Sequence, residues 1–143
     1  QTKAKHFILE RYLQALAFKI LTFKDLTYVD GFSGPWETRT EDFADTSFKI
    51  AIRVLKDAQK TWSLRGTRRR VRCFFCEESR PAFQKLSAAV AAYHDPGGGF
   101  EIVTFNGAFV DAVPDIRAFI GRSFALIFID PTGWTGYGLD RIR

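Results

Sequence analysis

The stretch Val29-Asp30-Gly31-Phe32-Ser33-Gly34 follows a β-prone run that begins at Thr27, and it decides the fold class. Glycine allows a sharp turn and a close approach of the backbone to another group, so a strand ends here and a loop begins. After the loop, residues 48–58 carry apolar side chains at helical spacing, with Asp45 or Thr46 as the cap. The stretch therefore predicts a first strand, its loop and a crossover helix.

The same alternation of strand and helix continues along the chain. Short apolar runs at residues 71–76, 100–105 and 124–129 predict three more strands. Ser79 is the predicted N-cap of the helix after the second strand, and Gly121 marks the end of the next helix. Almost wholly apolar strands that alternate with helices indicate a parallel sheet covered on both faces. We predict an α/β fold, doubly wound and mostly parallel, of Rossmann-like type.

Length and composition predict a single domain over residues 1–143. A hydrophobic content of 46% is enough apolar material for a core. Because Arg143 follows the last predicted strand closely, we expect the N-terminal part of a domain that is incomplete at its C-terminus. Residues 1–22 are the predicted leading amphipathic helix, with an apolar face of Ile8, Tyr12, Leu13, Leu16 and Ile20.

Composition also excludes several classes of protein. No apolar run reaches the roughly 18 residues of a membrane span. The N-terminus lacks the residue order of a signal peptide, so we predict a cytoplasmic protein with no membrane partner. Cys73 and Cys76 lie three apart on a predicted strand, where successive side chains alternate, so their sulfurs point to opposite faces. They are predicted to be buried structural thiols, and no metal site is predicted.

The positive charge of the chain is concentrated in one segment. Lysine and arginine number 21 against 16 acidic residues, and five arginines lie almost consecutively at positions 65, 68, 69, 70 and 72. A basic segment of this kind predicts contact with nucleic acid through Arg65, Arg68, Arg69 and Arg70. A protein partner and a solvated run of surface charge remain the alternatives.

Polar residues follow the first two predicted strands, where a doubly wound sheet binds its ligands. Asp30 and Gly31 end the first strand, and Glu77 and Glu78 end the second. An acidic side chain in the second position can accept hydrogen bonds from both hydroxyls of an adenosine ribose. A solvated acidic pair is the alternative interpretation.

Polar residues also follow the third and fourth predicted strands. The amide of Asn106 can contact the edge of an adenine, while a simple Asn-Gly turn is the alternative. Asp130 can hold an amino group and Trp134 can stack on a planar ring. The alternative is that Asp130 and Pro131 only terminate the strand. The occurrence of such residues at four successive strand ends favours a functional edge.

Three motifs resemble the three-Cys-motif partner protein family. They are Lys5-His6-x-Ile8-Leu9-x-x-Tyr12-Leu13, then Tyr28-Val29-Asp30-Gly31-Phe32-Ser33-Gly34-Pro35, and finally Phe128-Ile129-Asp130-Pro131-Thr132-Gly133-Trp134. The resemblance spans nearly the whole chain. Members of that family look like class I methyltransferases, and the central turn is also similar to the opening cofactor motif of DNA cytosine methyltransferases.

The resemblance implies a site for S-adenosyl-L-methionine. By it, the turn Asp30-Gly31-Phe32-Ser33-Gly34 would surround the methionine portion, Glu77 would take the ribose and Asn106 would lie beside the adenine. Asp130 and Pro131, with Trp134 shortly after them, would form the catalytic motif, in the position of the Asp-Pro-Pro-aromatic motif of amino-methylating enzymes.

Two functional hypotheses follow. The first is an S-adenosylmethionine-dependent methyltransferase-like protein, with nucleic acid as a candidate substrate. The second is a Rossmann-like partner or scaffold protein that lacks the cofactor and binds nucleic acid or a protein. Trp36, where the family pattern has glycine, favours the second. An NAD-dependent dehydrogenase is disfavoured, because its GxGxxG turn is absent.

Overall fold

The computed structural model describes residues 2–31 and 47–128, in which helices alternate with strands. The four helices are α1 (Thr2–Ile20), α2 (Ser47–Leu64), α3 (Arg80–Ala91) and α4 (Phe109–Ile120). The four strands are β1 (Leu26–Asp30), β2 (Val71–Glu77), β3 (Phe100–Asn106) and β4 (Phe124–Phe128), and a short 3-10 turn at Pro96–Gly98 precedes β3. The predicted order of elements is confirmed.

The four strands form one parallel sheet in the order β3-β2-β1-β4. Strand β1 pairs with β2 on one side and with β4 on the other, in registers that run from Leu26 to Asp30. The chain therefore proceeds outward from β1 to β3 and then returns to the opposite side of β1. This reversal of direction defines a doubly wound sheet, so the predicted Rossmann-like fold class is confirmed.

Helices cover both faces of the sheet. On one face, α1, α2 and α3 pack over Tyr28 and Phe75 through buried leucines that include Leu13, Leu55 and Leu86. On the other face, α4 packs over a smaller core. That second core contains Val29, Phe74, Cys76, Ala112, Ile116 and Phe119. The two cores explain why the strands are apolar on both sides.

The buried face of helix α1 matches the predicted one only in part. Leu13 and Ile20 are buried as expected, but Ile8 and Tyr12 are 65% and 59% exposed. Leu9 and Ala17 occupy the core instead, because the helix carries apolar residues on two faces and its contact with α2 selects one of them. Neither α1 nor any other helix in residues 2–31 and 47–128 combines the length and the apolar character needed to cross a membrane.

The residues predicted to mark the start of α3 and the end of α4 do so in the structure. The Ser79 hydroxyl accepts a hydrogen bond from the Ala82 N–H at 3.4 Å, and Pro81 lies in the first turn of α3. Gly121 follows the last residue of α4 with a φ of 54°, a conformation that a residue with a Cβ rarely adopts. These residues set where α3 begins and where α4 ends.

The two cysteines are free, buried and on opposite faces of β2, as predicted. Cys73 lies in the core beneath α1, α2 and α3, and Cys76 lies in the core beneath α4. Burial raises the pKa of Cys73 well above its usual value. Burial, together with the carboxylates of Asp30 and Glu77, raises the pKa of Cys76 to about 12. Both thiols are therefore protonated and structural at neutral pH.

We expect neither thiol to react with an aromatic disulfide reagent at pH 8 in the native protein, because the thiolate is the reactive species. Both should react after denaturation. Unfolded Cys76 titrates near its ordinary pKa of 9.0, so the free energy of unfolding should fall as pH rises from 9.0 toward about 12. Rapid labelling of the native protein would contradict the burial of both residues.

Candidate functional site

Three predicted cofactor residues meet at the carboxyl edge of the sheet, where β1, β2 and β3 end. Glu77 and Asn106 are direct register partners, so they lie side by side on the same face. Asp30 is the register partner of Phe75, two residues before Glu77, and so shares that face on the diagonal. Strand spacing and rise put the Cα atoms of Asp30 and Glu77 about 8 Å apart. The structure therefore brings together Asp30, Glu77 and Asn106.

Glu77 is held in place by the turn that begins α3. Its Oε2 atom accepts a hydrogen bond from the Ser79 N–H at 2.8 Å, and the residue is only 8% exposed. Glu78, by contrast, is exposed. The two neighbours therefore do not form a solvated acidic pair. The Ser79 N–H thus fixes the position of the Glu77 carboxylate, a group that can accept hydrogen bonds from hydroxyls.

Asn106 joins the ends of β2 and β3. Its Nδ2 atom donates hydrogen bonds to the carbonyl oxygens of Glu77 and Glu78, at 2.9 and 3.2 Å. The Gly107 N–H also donates to the Glu77 carbonyl, at 3.0 Å. Because both amide hydrogens are engaged, the side chain offers a ligand only its Oδ1 acceptor. The contact predicted between Asn106 and an adenine can therefore only be a hydrogen bond that Oδ1 accepts from the adenine amino group.

Gly31 approaches an aromatic ring closely. A Cβ atom at this position would lie 2.8 Å from Cδ1 of Phe109, the first residue of α4. Its φ lies outside the left-handed region, so backbone conformation does not require glycine here. Its N–H donates to the Phe128 carbonyl at 3.2 Å, which joins the ends of β1 and β4. The glycine thus makes room for Phe109, a neighbour that the sequence pattern does not reveal.

The carboxyl edge carries negative charge inside the fold. Asp30 is fully buried, and burial followed by the Asp30 carboxylate raises the pKa of Tyr28 well above its usual value. The Tyr28 hydroxyl has no hydrogen-bond partner among the residues that the structure describes. Burial, followed by the carboxylates of Asp30 and Glu77, also raises the pKa of the Cys76 thiol. The carboxylates of Asp30 and Glu77 thus place negative charge at this edge of the sheet.

Part of the predicted site lies outside the described residues. This applies to the cofactor residues Phe32, Ser33 and Gly34, and to the catalytic residues Asp130, Pro131 and Trp134. Within residues 2–31 and 47–128, no group of three or more histidine, cysteine and acidic side chains could hold a metal ion.

The structure divides the predicted basic segment by role. The Arg69 guanidinium donates to the carbonyl oxygens of residues 21 and 22, each at 3.0 Å, and so holds the turn after α1. Arg65 lies over the rings of Trp62 and Phe18, at 5.3 and 5.5 Å from their centroids. The side chains of Arg68 and Arg70 are exposed and form no ion pair among the described residues. Within the part of the chain that the structure describes, binding of a partner by Arg68 and Arg70 would therefore disrupt no side-chain contact.

We expect Gly31→Ala to destabilise the protein by about 1–3 kcal/mol, because the added methyl group collides with the Phe109 ring. The Phe109→Ala background should remove most of this cost, which chemical denaturation of the four proteins in the cycle would measure. Gly97→Ala is the matched control, since a Cβ there meets only a carboxylate oxygen at 4.0 Å. Equal destabilisation in both backgrounds would show that Phe109 is not the cause.

Comparison of the chain with protein families, with curated proteins and with solved structures yields no match. The fold class therefore stands on the strand order and the two helical layers. The likeness to class I methyltransferases stands on the motifs of the sequence alone.

Proposed function

We propose that this protein is an S-adenosylmethionine-dependent methyltransferase-like protein that binds its cofactor at the carboxyl edge. The observation that carries the proposal is the strand order β3-β2-β1-β4, with Asp30 and Gly31 at the end of the central strand. In doubly wound sheets, ligands bind where the strand order reverses. Glu77, at the end of the adjacent strand and on the same face, matches the acidic residue that binds a ribose hydroxyl.

Each residue has a distinct role in this proposal. Glu77 accepts hydrogen bonds from the ribose hydroxyls, and the Ser79 N–H holds its carboxylate in position at the end of β2. The Oδ1 atom of Asn106 accepts a hydrogen bond from the adenine amino group, while its Nδ2 atom keeps the edge rigid. Asp30 is fully covered, so it contributes its electric field rather than a direct contact.

The charge of the edge favours this cofactor over a dinucleotide. The pyrophosphate of a dinucleotide would be repelled by the buried Asp30 carboxylate and by Glu77. S-adenosylmethionine has no phosphate, and its sulfonium and ammonium groups are cationic. The absence of a GxGxxG turn after β1 supports the same choice.

The methyl acceptor would bind beside Asp130, Pro131 and Trp134, a proposal that rests on the resemblance of that motif. The cofactor, when bound, supplies an electrophilic methyl group. Asp130 would accept a hydrogen bond from an amino group of the acceptor, and Trp134 would stack on its ring. Such positioning of two reactants lowers the barrier without any covalent step on the protein. The cytoplasm remains the proposed location, and nucleic acid remains a proposed substrate class.

Calorimetric titration with S-adenosylmethionine and with its demethylated product should show stoichiometric binding. We expect Glu77→Gln to weaken it tenfold or more, because a hydrogen bond to a charged group is worth about 1.5–3 kcal/mol. Glu78→Gln is the matched control and should bind as the wild type does, because Glu78 is exposed and adjacent to the site. Absence of binding by either ligand at millimolar concentration would overturn the proposal.

A second candidate is a cofactor-free partner or scaffold protein that binds nucleic acid, or a protein, through the basic segment. The exposed side chains of Arg68 and Arg70, which form no ion pair within residues 2–31 and 47–128, favour it, as does Trp36 in place of glycine. The two candidates differ in a simple way: the second predicts partner binding by a protein that gives no calorimetric signal with S-adenosylmethionine.

We expect Arg68→Glu/Arg70→Glu to weaken oligonucleotide binding and to reduce the slope of log affinity against log salt by about 1.5, because two phosphate contacts are lost. Arg69 is left unchanged, since it holds the turn after α1. The control is Lys85→Glu/Arg117→Glu, which reverses two exposed charges on α3 and α4. An unchanged salt dependence in the first variant would eliminate the basic segment as a binding site.

A further inference from the structure

The opposite, amino edge of the sheet gathers residues that immediately precede the strands. Lys24 comes shortly before β1, Arg70 directly before β2 and Arg122 shortly before β4. Because the strands are parallel, residues that precede them in different parts of the chain meet at one edge. Lys24 and Arg122, which are far from the basic segment in sequence, therefore lie at the same edge of the sheet as Arg70.

Two open clefts lie along this edge and share Asp25, Arg69 and Arg70. The first has a volume of about 690 Å³, and its lining includes Lys60 and Arg68. The second has a volume of about 490 Å³. Its lining includes Phe23, Lys24, Arg72 and Arg122. Together they form one concave band across the edge of the sheet, here termed the amino-edge groove.

The acidic residues of the amino-edge groove are already engaged. The Asp25 carboxylate accepts a hydrogen bond from the Arg70 N–H at 2.9 Å, and Glu101 forms an ion pair with Arg72 at 3.1 Å. Five exposed cations then remain without an ion pair in the described part of the chain. They are Lys24, Lys60, Arg68, Arg70 and Arg122. The groove therefore has a net positive charge and suits a polyanion.

Phe23 adds an aromatic surface to the groove. It lies in the turn after α1, is 57% exposed and makes no ring contact within residues 2–31 and 47–128. Lys24 is its neighbour in sequence, and both line the second cleft together with Arg122. An exposed aromatic ring among cations is the arrangement on which proteins stack the bases of single-stranded nucleic acids.

We propose that the amino-edge groove binds single-stranded nucleic acid, with phosphates along the five cations and a base stacked on Phe23. This inference rests on the proposed role of the basic segment in binding nucleic acid, and it adds the strand form, the stacking residue and the full path. A duplex keeps its bases paired and stacked, so it cannot use Phe23. A lipid surface is flat and cannot enter a concave band.

The groove and the cofactor edge lie at opposite ends of the strands. Strands of five to seven residues separate them by roughly 20 Å. A nucleotide held on Phe23 is therefore not the nucleotide next to Glu77. The groove acts as a tether for a strand, independently of cofactor binding.

Fluorescence anisotropy with a labelled oligothymidylate of about 12 nucleotides, and with a duplex of equal length, tests the proposal. We expect tighter binding of the single strand, and a loss of fivefold or more in Phe23→Ala that Phe23→Trp restores. Phe7→Ala is the matched control, because Phe7 is an equally exposed phenylalanine on α1. Lys24→Glu/Arg122→Glu should weaken binding, whereas Lys85→Glu/Arg117→Glu should not.

Each outcome is decisive. If Phe23→Ala binds as the wild type does, or if the duplex binds as tightly as the single strand, the inference is overturned. In that case, weaker binding by Arg68→Glu/Arg70→Glu would still leave the basic segment as a nucleic-acid site. Displacement of the oligonucleotide by an equal charge of polyglutamate would assign the groove to an acidic protein instead. None of these results bears on the calorimetric titration with S-adenosylmethionine, which tests the proposed cofactor site separately.

Discussion

The pairing of β1 on both sides is the constraint on which the rest of the structure depends. All five of its residues are buried, with β2 and β4 hydrogen-bonded to it and helical layers above and below. The strand needs apolar side chains on both faces, which Leu26 and Val29 supply. Because β1 lies where the winding reverses, its two ends set the positions of both edges of the sheet. The charged residue of the strand, Asp30, sits at its last position, where the strand gives way to a turn.

The two edges of this sheet differ in charge for a topological reason. In a parallel sheet, all strand starts lie at one edge and all strand ends at the other. This chain has acidic or amide residues where β1, β2 and β3 end, and basic residues where β1, β2 and β4 begin. The result is one edge with acidic residues and one with basic residues. The two proposed sites do not overlap, because roughly 20 Å of sheet separates the two edges.

Packing assigned roles that residue type alone leaves open. Asn106 has the hydrogen-bonding groups of a ligand contact, yet its amide nitrogen links the ends of two strands. Arg69 belongs to a run of arginines that resembles a binding patch, yet its guanidinium donates hydrogen bonds to backbone carbonyls of the turn after α1. Gly31 lacks a Cβ atom and so could approach a ligand closely. The close contact that requires glycine at this position is, however, with the ring of Phe109. In each case the deciding partner is distant in sequence.

The sequence by itself determined the order of the elements, the parallel sheet, the opposite faces of Cys73 and Cys76, and the helix signals at Ser79 and Gly121. These features follow from periodicity and from local backbone chemistry, which act within a few residues. Only the tertiary structure decided which face of α1 is buried, which arginines contact other described residues, and that Phe23, Lys24 and Arg122 line one groove with Arg70. Those outcomes depend on contacts between segments far apart in the chain, and apolar residues lie on more than one side of α1. The rule that residues after parallel strands meet at one edge identified Asp30, Glu77 and Asn106, and the same rule applied to residues before the strands identifies the basic groove.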